Sequence, residues 1–278
     1  MIARVGDAAW AEIDAYLRAH YRENVYLLSD LYASHPTRAA TLPGGDSLDL
    51  VGYRENGALL AAQGFYRLGR WFPHFDDARA VEPMLHDALR RRVRWVMGVR
   101  RVVDPLIAGM VAEGFALAYD EYDEVWIADA ATLRPHAAEE VRRATAEDVP
   151  AVAALRRAFE HEYFGVPLHR VDQDWCLRIA GRYIADGAYV AQRKGEIVSM
   201  AAVEAAIPEM AQIGAVYTAP AQRGQGLARA TVSALATDRL QHTPEVSLVV
   251  SVENIPAQRA YAALGFGYSH GYRMTRLG

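Results

Sequence analysis

The sequence predicts an α/β (α+β) protein in two domains, and three observations carry that prediction. Apolar residues recur at about 3.6 residues in some segments and about 2 in others, the marks of amphipathic helices and half-buried strands. Two tight-turn signals, Glu55-Asn56-Gly57 and Lys194-Gly195, each join two apolar runs of strand length. The pieces then recur: "YRENGALLAAQGF" matches "AQRKGEIVSMAAV" in kind, and "DPLIAGMVAEGFALAYDEYDEVWIA" matches "NIPAQRAYAALGFGYSHGYRMTRL". The domains are expected over 1–130 and 141–278, with a linker at 131–140 inside "AATLRPHAAEEV".

From the N-terminus, Trp10, Ile13, Leu17 and Tyr21 fall at helical spacing and predict a helix over about Asp7 to Ala33. Prolines and paired glycines make His35 to Ser47 a loop. Strands flank the Asn-Gly turn, and a helix follows at about Ala78 to Arg91. A strand in "VRWVMGV", a helix over about Pro105 to Glu113 and a strand in "EYDEVWIAD" complete the first half.

The second half begins with Thr145 as an N-cap and Asp148 three residues on, ahead of an apolar helical run. The hairpin about Lys194-Gly195 and the strand "MAQIGAVYT" come next. The loop "APAQRGQG" then opens a helix over about Gly226 to Leu240. Val246, Leu248, Val250 and Val252 alternate as one face of a strand. A helix over about Pro256 to Leu264 and a strand in "GYSHGYRMTRL" finish the chain. Between the repeated marks the second half is the longer, and there it holds the glycine loop. The first half has "FPHFDDARAVEPMLHDAL" at that place, with no glycine.

Composition narrows the function classes. Lys and Arg total 30 against 34 Asp and Glu, a formal net charge of −4, so the basic face of a nucleic-acid binder is not expected. The densest basic run, "RRRVR" at Arg90 to Arg94, reads as the solvated end of a helix. A single cysteine, Cys176, excludes a disulfide within the chain and argues against a cysteine metal cage. With no base near it in sequence, Cys176 reads as a packing thiol rather than a nucleophile. "MIARVGDAAWAEID" has no apolar run of signal-peptide length, and no stretch approaches the roughly 18 consecutive apolar residues of a membrane span. A cytoplasmic protein with no membrane and no nucleic-acid partner is expected, and a homodimer is left open.

The chemistry concentrates in "VYTAPAQRGQGLARATVSAL", Val216 to Leu235. A glycine loop that opens a helix presents unpaired backbone N–H groups to one point, and the helix dipole adds positive charge there. Glycine suits both the backbone angles and the close approach of a ligand. Arg223 adds a charge-assisted donor for a phosphate oxygen. The pattern is not a P-loop, since lysine and spacing are wrong. It is not a dinucleotide fingerprint either: Leu227, Ala228 and Arg229 follow Gly224-Gln225-Gly226, and hairpin strands precede it. A pyrophosphate cradle and a tight turn without ligand both remain open from this loop alone.

"RGQGLA" satisfies [Q/R]-x-x-G-x-[G/A] through Arg223, Gly226 and Ala228. Downstream, "ENIPAQRAYAALGF" satisfies N-x-x-A-x-x-x-Y-x-x-x-G-F through Asn254, Ala257, Tyr261, Gly265 and Phe266. In that order the two motifs resemble motifs A and B of the GNAT superfamily of N-acetyltransferases. The resemblance covers about 141 to 278; the first half resembles the same fold only in outline and is expected to be a degenerate copy. It implies two GNAT-like domains, each a mixed, mostly antiparallel twisted sheet flanked by helices, with acetyl-CoA as cosubstrate and no metal. The implied fold splays two parallel strands, "IGAVYT" and "SLVVSV". Backbone groups of Val216, Tyr217 and Thr218 would pair with pantetheine, as a peptide adds to an open strand edge.

The resemblance further places Arg223, Gly224, Gln225, Gly226, Leu227, Ala228 and Arg229 around the pyrophosphate, with Asn254 and Ala257 flanking the thioester. Tyr261 occupies the position of the family's usual general acid. An alkyl amine is mostly protonated at neutral pH, so a base is needed; Glu204 is the first candidate and Glu253 the second. "HEYFGVP" lacks the second histidine of H-E-x-x-H and is no zinc motif, while by fold analogy His161, Tyr163 and Phe164 border the acceptor pocket. The expected function is an acetyl-CoA-dependent N-acetyltransferase acting on a small-molecule or amino-acid-like primary amine by direct attack. The alternatives are a non-catalytic acyl-CoA-binding module, a protein or peptide N-acetyltransferase, and a tandem acyltransferase of unusual donor or acceptor.

Overall fold

The structure, a computed structural model, describes residues 3–5, 10–34, 47–138 and 140–278. The loop expected at His35 to Ser47 lies outside the described residues, apart from Ser47. In chain order the first elements are β1 (Ala3–Val5), α1 (Trp10–Ala19), α2 (Tyr21–Ser34), β2 (Leu48–Glu55), β3 (Ala58–Tyr66) and β4 (Arg70–Phe75). Next come α3 (Val81–Leu89), β5 (Trp95–Val99), α4 (Arg100–Ala112) and β6 (Leu117–Asp129). Then follow β7 (Val141–Arg143), α5 (Val149–Phe164), α6 (Gln173–Ala185), β8 (Tyr189–Arg193), β9 (Glu196–Ile207) and β10 (Met210–Thr218). Last are α7 (Leu227–Arg239), β11 (Glu245–Ser251), α8 (Ile255–Ala263) and β12 (Gly267–Leu277).

Local chemistry explains most boundaries. Asn56 and Gly57 have φ of 51° and 86°, and Lys194 and Gly195 have 48° and 86°, so both hairpins turn through two left-handed residues. The predicted first helix breaks into α1 and α2 at His20, whose carbonyl accepts from Glu23 N at 3.0 Å. Helix α4 starts at Arg100, ahead of the start expected at Pro105, and carries that proline inside it. The sequence reading passed over α6, whose N-cap Asp172 accepts from Trp175 N at 3.0 Å. At the start of α5 the capping box forms, with Asp148 accepting from Thr145 N at 2.8 Å.

Arg142 grips the same Asp148 carboxylate with both terminal nitrogens, at 2.7 and 2.9 Å. That hydrogen bonding, with the Thr145 backbone behind it, lowers the Asp148 carboxyl to about 2. A depressed folded pKa gives stability that is present above the unfolded value and lost as pH falls through the folded one. Asp148→Asn is therefore expected to cost about 1–2 kcal/mol at neutral pH. The difference from wild type should shrink between about pH 4 and pH 2, measured by urea unfolding across that range.

The chain forms two compact units, residues 1–125 with 269–278 and residues 126–268. In the first, strands run β1-β2-β3-β4-β5-β12-β6. Neighbours from β1 to β4 pair antiparallel, as do β5 and β12, while β4 and β5 pair parallel. Its core gathers Trp71, Met84, Leu106, Ile107 and Met110 between the sheet and α3 and α4. In the second, strands run β6-β11-β10-β9-β8-β7, with β10 and β11 parallel and the pairs from β10 to β7 antiparallel. Its core includes one cluster involving α7 and α8 and another involving α5 and α6.

The expected domain 141–278 therefore loses its last strand to the first unit. Arg273 on β12 donates to both Asp120 oxygens at 2.8 Å and to Asp104 at 3.0 Å, and Thr275 donates to Asp120 at 2.7 Å. A largely buried guanidinium with these partners holds β12 in register with β5, from Tyr272 opposite Val99 to Arg276 opposite Trp95. The expected linker is also not free, for Arg134 N donates to Leu264 O at 2.8 Å and His136 N to Ser233 Oγ at 2.7 Å. The repeated "GF" ends share one geometry. Gly114 and Gly265 have φ of 93° and 90°, and Phe115 N and Phe266 N each donate across a helix cap to the carbonyl five residues back, Met110 O and Tyr261 O, at 3.1 Å. Among the described residues, no helix is long and apolar enough to cross a membrane.

Candidate functional site

Strands β10 and β11 begin as a regular parallel pair and then separate. Their register runs from Met210 opposite Glu245 to Ile213 opposite Leu248 and stops there. Against β9, β10 shifts register between Gln212 and Ile213 and again between Gly214 and Tyr217, with Ala215 at φ 48°. These bulges bend the strand away from β11. The splay expected between "IGAVYT" and "SLVVSV" is present, and a cleft of about 760 Å³ is lined by residues of β10, α5, α7 and α8. Below the separated end, Thr218 Oγ1 lies 2.8 Å from Ser199 Oγ, itself 3.2 Å from Thr231 Oγ1. This buried hydroxyl chain ties β10 to β9 and α7.

The glycine loop closes one end of the cleft. Gly224 and Gly226 have φ of 73° and 79°, where a side-chain-bearing residue is strained, and a Cβ at either would enter open space. Gly226 is the N-cap of α7, and no side chain caps that helix. Its first N–H groups are thus left to meet a ligand.

Most of the expected site residues converge here. Val216, Tyr217, Thr218, Arg223, Gly224, Gly226, Leu227, Ala228, Arg229, Asn254, Ala257 and Tyr261 all line the cleft. Gln225 does not; its side chain accepts from Arg193 instead. Asn254 is the N-cap of α8, its Oδ1 accepting from Ala257 N at 3.2 Å. Arg229 Nη2 lies 3.1 Å from His136 Nε2. Tyr261 is 6% exposed; burial raises its phenol pKa, and no described residue hydrogen-bonds its hydroxyl. It is a protonated phenol facing a cleft.

The expected base is not at the cleft. Glu204 lies on β9 and does not line it. Its Oε1 accepts from the Tyr183 hydroxyl and from Arg156 Nη1 at 3.3 Å, and its Oε2 from Arg182 Nη2 at 3.3 Å. A Cβ at Gly214 would collide with Glu204 Cγ, so this glycine is what lets the glutamate cross the bulged strand. Glu253, the second candidate, is exposed and does not line the cleft either.

The carboxylate that does line it was not foreseen. Glu162, on α5, accepts from Arg223 through both oxygens, Oε1 from Nη1 at 2.6 Å and Oε2 from Nη2 at 2.7 Å. The Tyr217 hydroxyl donates to Glu162 Oε2 at 3.1 Å, and Arg223 Nε donates to Thr218 O at 2.9 Å. Arg223, with Tyr217 in support, holds the Glu162 carboxyl below the usual range. The signal was helical spacing: Phe159, Glu162 and Tyr163 share one face of α5 and line the cleft together. Of the neighbouring residues singled out, Tyr163 lines the cleft, Phe164 packs against Phe159 and Tyr163, and His161 Nδ1 lies 2.9 Å from Val166 O. Cys176 is buried, and burial raises its thiol pKa, as a packing role requires.

Comparison with known proteins finds a family model that matches part of the chain. Residues 149–266 match the profile of the acetyltransferase (GNAT) family. No curated protein matches the sequence. A GCN5-related N-acetyltransferase from Sphaerobacter thermophilus is 16% identical, superposes with TM-score 0.65, and is matched over 99% of this chain and 95% of that one. An acetyltransferase of the GNAT family from Colwellia psychrerythraea is 14% identical, with TM-score 0.60 and 100% of both chains covered. A tandem GNAT protein from the clavulanic acid biosynthesis pathway is 15% identical, with TM-score 0.58, covering 99% of this chain and 98% of that one. At these identities the likeness is one of fold.

Proposed function

We propose that the chain is an N-acetyltransferase, a reading supported by the match of residues 149–266 to the acetyltransferase (GNAT) family model. It takes the acetyl group of acetyl-CoA to a primary amine of a small-molecule or amino-acid-like acceptor by direct attack. The observation that carries this reading is the meeting, in one cleft, of an open strand edge, an uncapped glycine-opened helix and the unpartnered hydroxyl of Tyr261.

The residues present fit acetyl-CoA. The cleft has the size of a site for a sizeable small molecule. Backbone groups of Val216, Tyr217 and Thr218 hold the pantetheine arm. The N–H groups from Gly224 to Arg229, with the guanidiniums of Arg223 and Arg229, hold the pyrophosphate. When bound, acetyl-CoA supplies an activated acyl group. Tyr261 gives its phenolic proton to the departing sulfur, which it can do because burial keeps that proton in place. Glu204, behind the bulge at Gly214, takes the amine's proton only through an intervening water, since its oxygens already accept from Tyr183 and two arginines. Glu162, held by Arg223 through both oxygens, is assigned the positioning of that guanidinium and not the amine's proton.

The first unit is assigned no acetyl-CoA site. Met110, which has no proton to give, stands at the helix cap corresponding to Tyr261. At the turn that leads into α3, Asp77 accepts from Arg79 N at 2.9 Å, a carboxylate where the second unit has glycine.

Calorimetric titration with acetyl-CoA tests the reading. The wild type is expected to bind at micromolar concentration, and Arg223→Ala about tenfold more weakly, the worth of one charge-assisted contact. Glu162→Gln is expected to bind a few-fold more tightly, because a carboxylate no longer competes with phosphate for Arg223. A wild type that does not bind acetyl-CoA would overturn the proposal.

A further inference from the structure

The first unit carries a cluster that the acetyl-transfer reading leaves unused. His20, at the break between α1 and α2, His74 on β4 and Asp76 just beyond β4 each bring one donor atom within 4.8 Å of the other two. Among the described residues it is the one group of three or more His, Cys, Asp or Glu side chains so arranged. His20 Nε2 lies 3.2 Å from Asp76 Oδ2, and His74 Nε2 lies 3.7 Å from Asp76 Oδ1. Donors about 2.0–2.1 Å from a tetrahedral ion stand about 3.3 Å apart, and each imidazole nitrogen lies near that distance from one of the two Asp76 oxygens.

His74 is the informative member. Its side chain is 1% exposed, yet its Nε2 has no hydrogen-bond partner. A buried ring nitrogen without a partner is costly and needs an explanation. Its other nitrogen has two neighbours: Nδ1 lies 3.2 Å from Asn24 Nδ2 and 3.5 Å from Glu23 Oε2. The two Asn24 Nδ2 hydrogens have carbonyl acceptors in His20 O at 3.0 Å and Leu17 O at 3.5 Å. With both Asn24 hydrogens on those carbonyls, the His74 tautomer that carries its hydrogen on Nδ1, toward Glu23, turns the Nε2 lone pair toward His20 and Asp76. A carboxylate behind an imidazole is the usual second layer of a metal-bound histidine. Arg101 does not fill the place of the ion. Its Nη1 donates to Phe75 O at 2.7 Å and its Nε and Nη2 engage Glu23, leaving Nη2 at 3.7 Å from Asp76 Oδ1.

We propose that His20, His74 and Asp76 form a binding site for a divalent transition-metal ion of zinc type, pinning the α1–α2 break to the end of β4. Two imidazoles and one carboxylate suit a borderline ion and disfavour magnesium or calcium. His20 and Asp76 are 35% and 41% exposed, so the ion enters from solvent and water completes its shell. The site holds the fold of the first unit and takes no part in acetyl transfer.

The test is calorimetric titration of the metal-stripped full chain with zinc chloride in a non-chelating buffer, beside thermal unfolding with and without zinc. One ion per chain is expected, with a dissociation constant in the micromolar range or below and a raised unfolding midpoint. His20→Ala and Asp76→Asn should each weaken binding at least tenfold and abolish the rise in midpoint. Both side chains are solvent-accessible, so these variants spare the core; circular dichroism checks that they fold. His242→Ala, at an exposed histidine in the second unit, should leave both readouts unchanged. Cobalt substitution should give visible absorption bands of a four- or five-coordinate site, lost in Asp76→Asn. Absence of stoichiometric zinc binding, or equal affinity in the His20→Ala/Asp76→Asn double variant, would overturn the proposal.

Discussion

Tyr261→Phe is expected to lower kcat by about 10²–10³ while leaving the acetyl-CoA dissociation constant unchanged, since a positioned general acid contributes about that much. The substitution removes one oxygen from a side chain that is otherwise packed against Phe266 and the rest of its core cluster. No described residue bonds to that oxygen, so its loss leaves no orphaned partner and stability should change little. Thiol release measured against a panel of primary amines gives kcat, and titration gives the affinity. A fall in kcat at constant affinity belongs to proton transfer to the leaving sulfur. Unchanged turnover would make Tyr261 a packing residue. Binding with no turnover in the wild type would favour the acyl-CoA-binding module instead.

Gly226→Asp is expected to weaken acetyl-CoA binding by at least about 100-fold. A side chain here points into open space at the uncapped start of α7, and a carboxylate would sit where the N–H groups await phosphate. It would satisfy those donors itself and repel the ligand. The left-handed backbone at φ 79° costs any non-glycine residue roughly 1 kcal/mol, and aspartate tolerates that region better than most. Gly226→Ala supplies the control: it carries the backbone cost without the charge and should lose much less affinity. Titration with acetyl-CoA beside thermal unfolding separates the two contributions. Equal losses in both variants would show that loop geometry, not phosphate capture, is what glycine protects.

Much of the fold was legible because its chemistry is local. The φ > 0 turns at Asn56-Gly57 and Lys194-Gly195, the Thr145–Asp148 capping box and the glycine N-cap of α7 each depend on residues a few positions apart. The cleft-lining residues from Val216 to Arg229 were legible for the same reason, since strand, loop and helix start are contiguous in the chain. The surroundings of Glu204 were not legible because strand membership says nothing of a side chain's partners. Only the fold brings Arg156, Arg182 and Tyr183 onto its oxygens. Glu162 was missed because its partner, Arg223, lies far along the chain and on a different element.

By itself the sequence determined the periodicities, turns, caps and glycine loop that produce a mixed α/β fold and an anion-ready helix start. Each of these arises from short-range sterics and backbone hydrogen bonding. Tertiary structure alone decided three things. It sent β12 to the first unit, through the pairing of Arg273 with Asp120 and Asp104. It closed Glu162 onto Arg223, and it gathered His20, His74 and Asp76 around one point. The reason is common to all three. A charged or titratable side chain takes its partner from whatever packing brings within a few ångströms, and that distance carries no imprint in linear spacing.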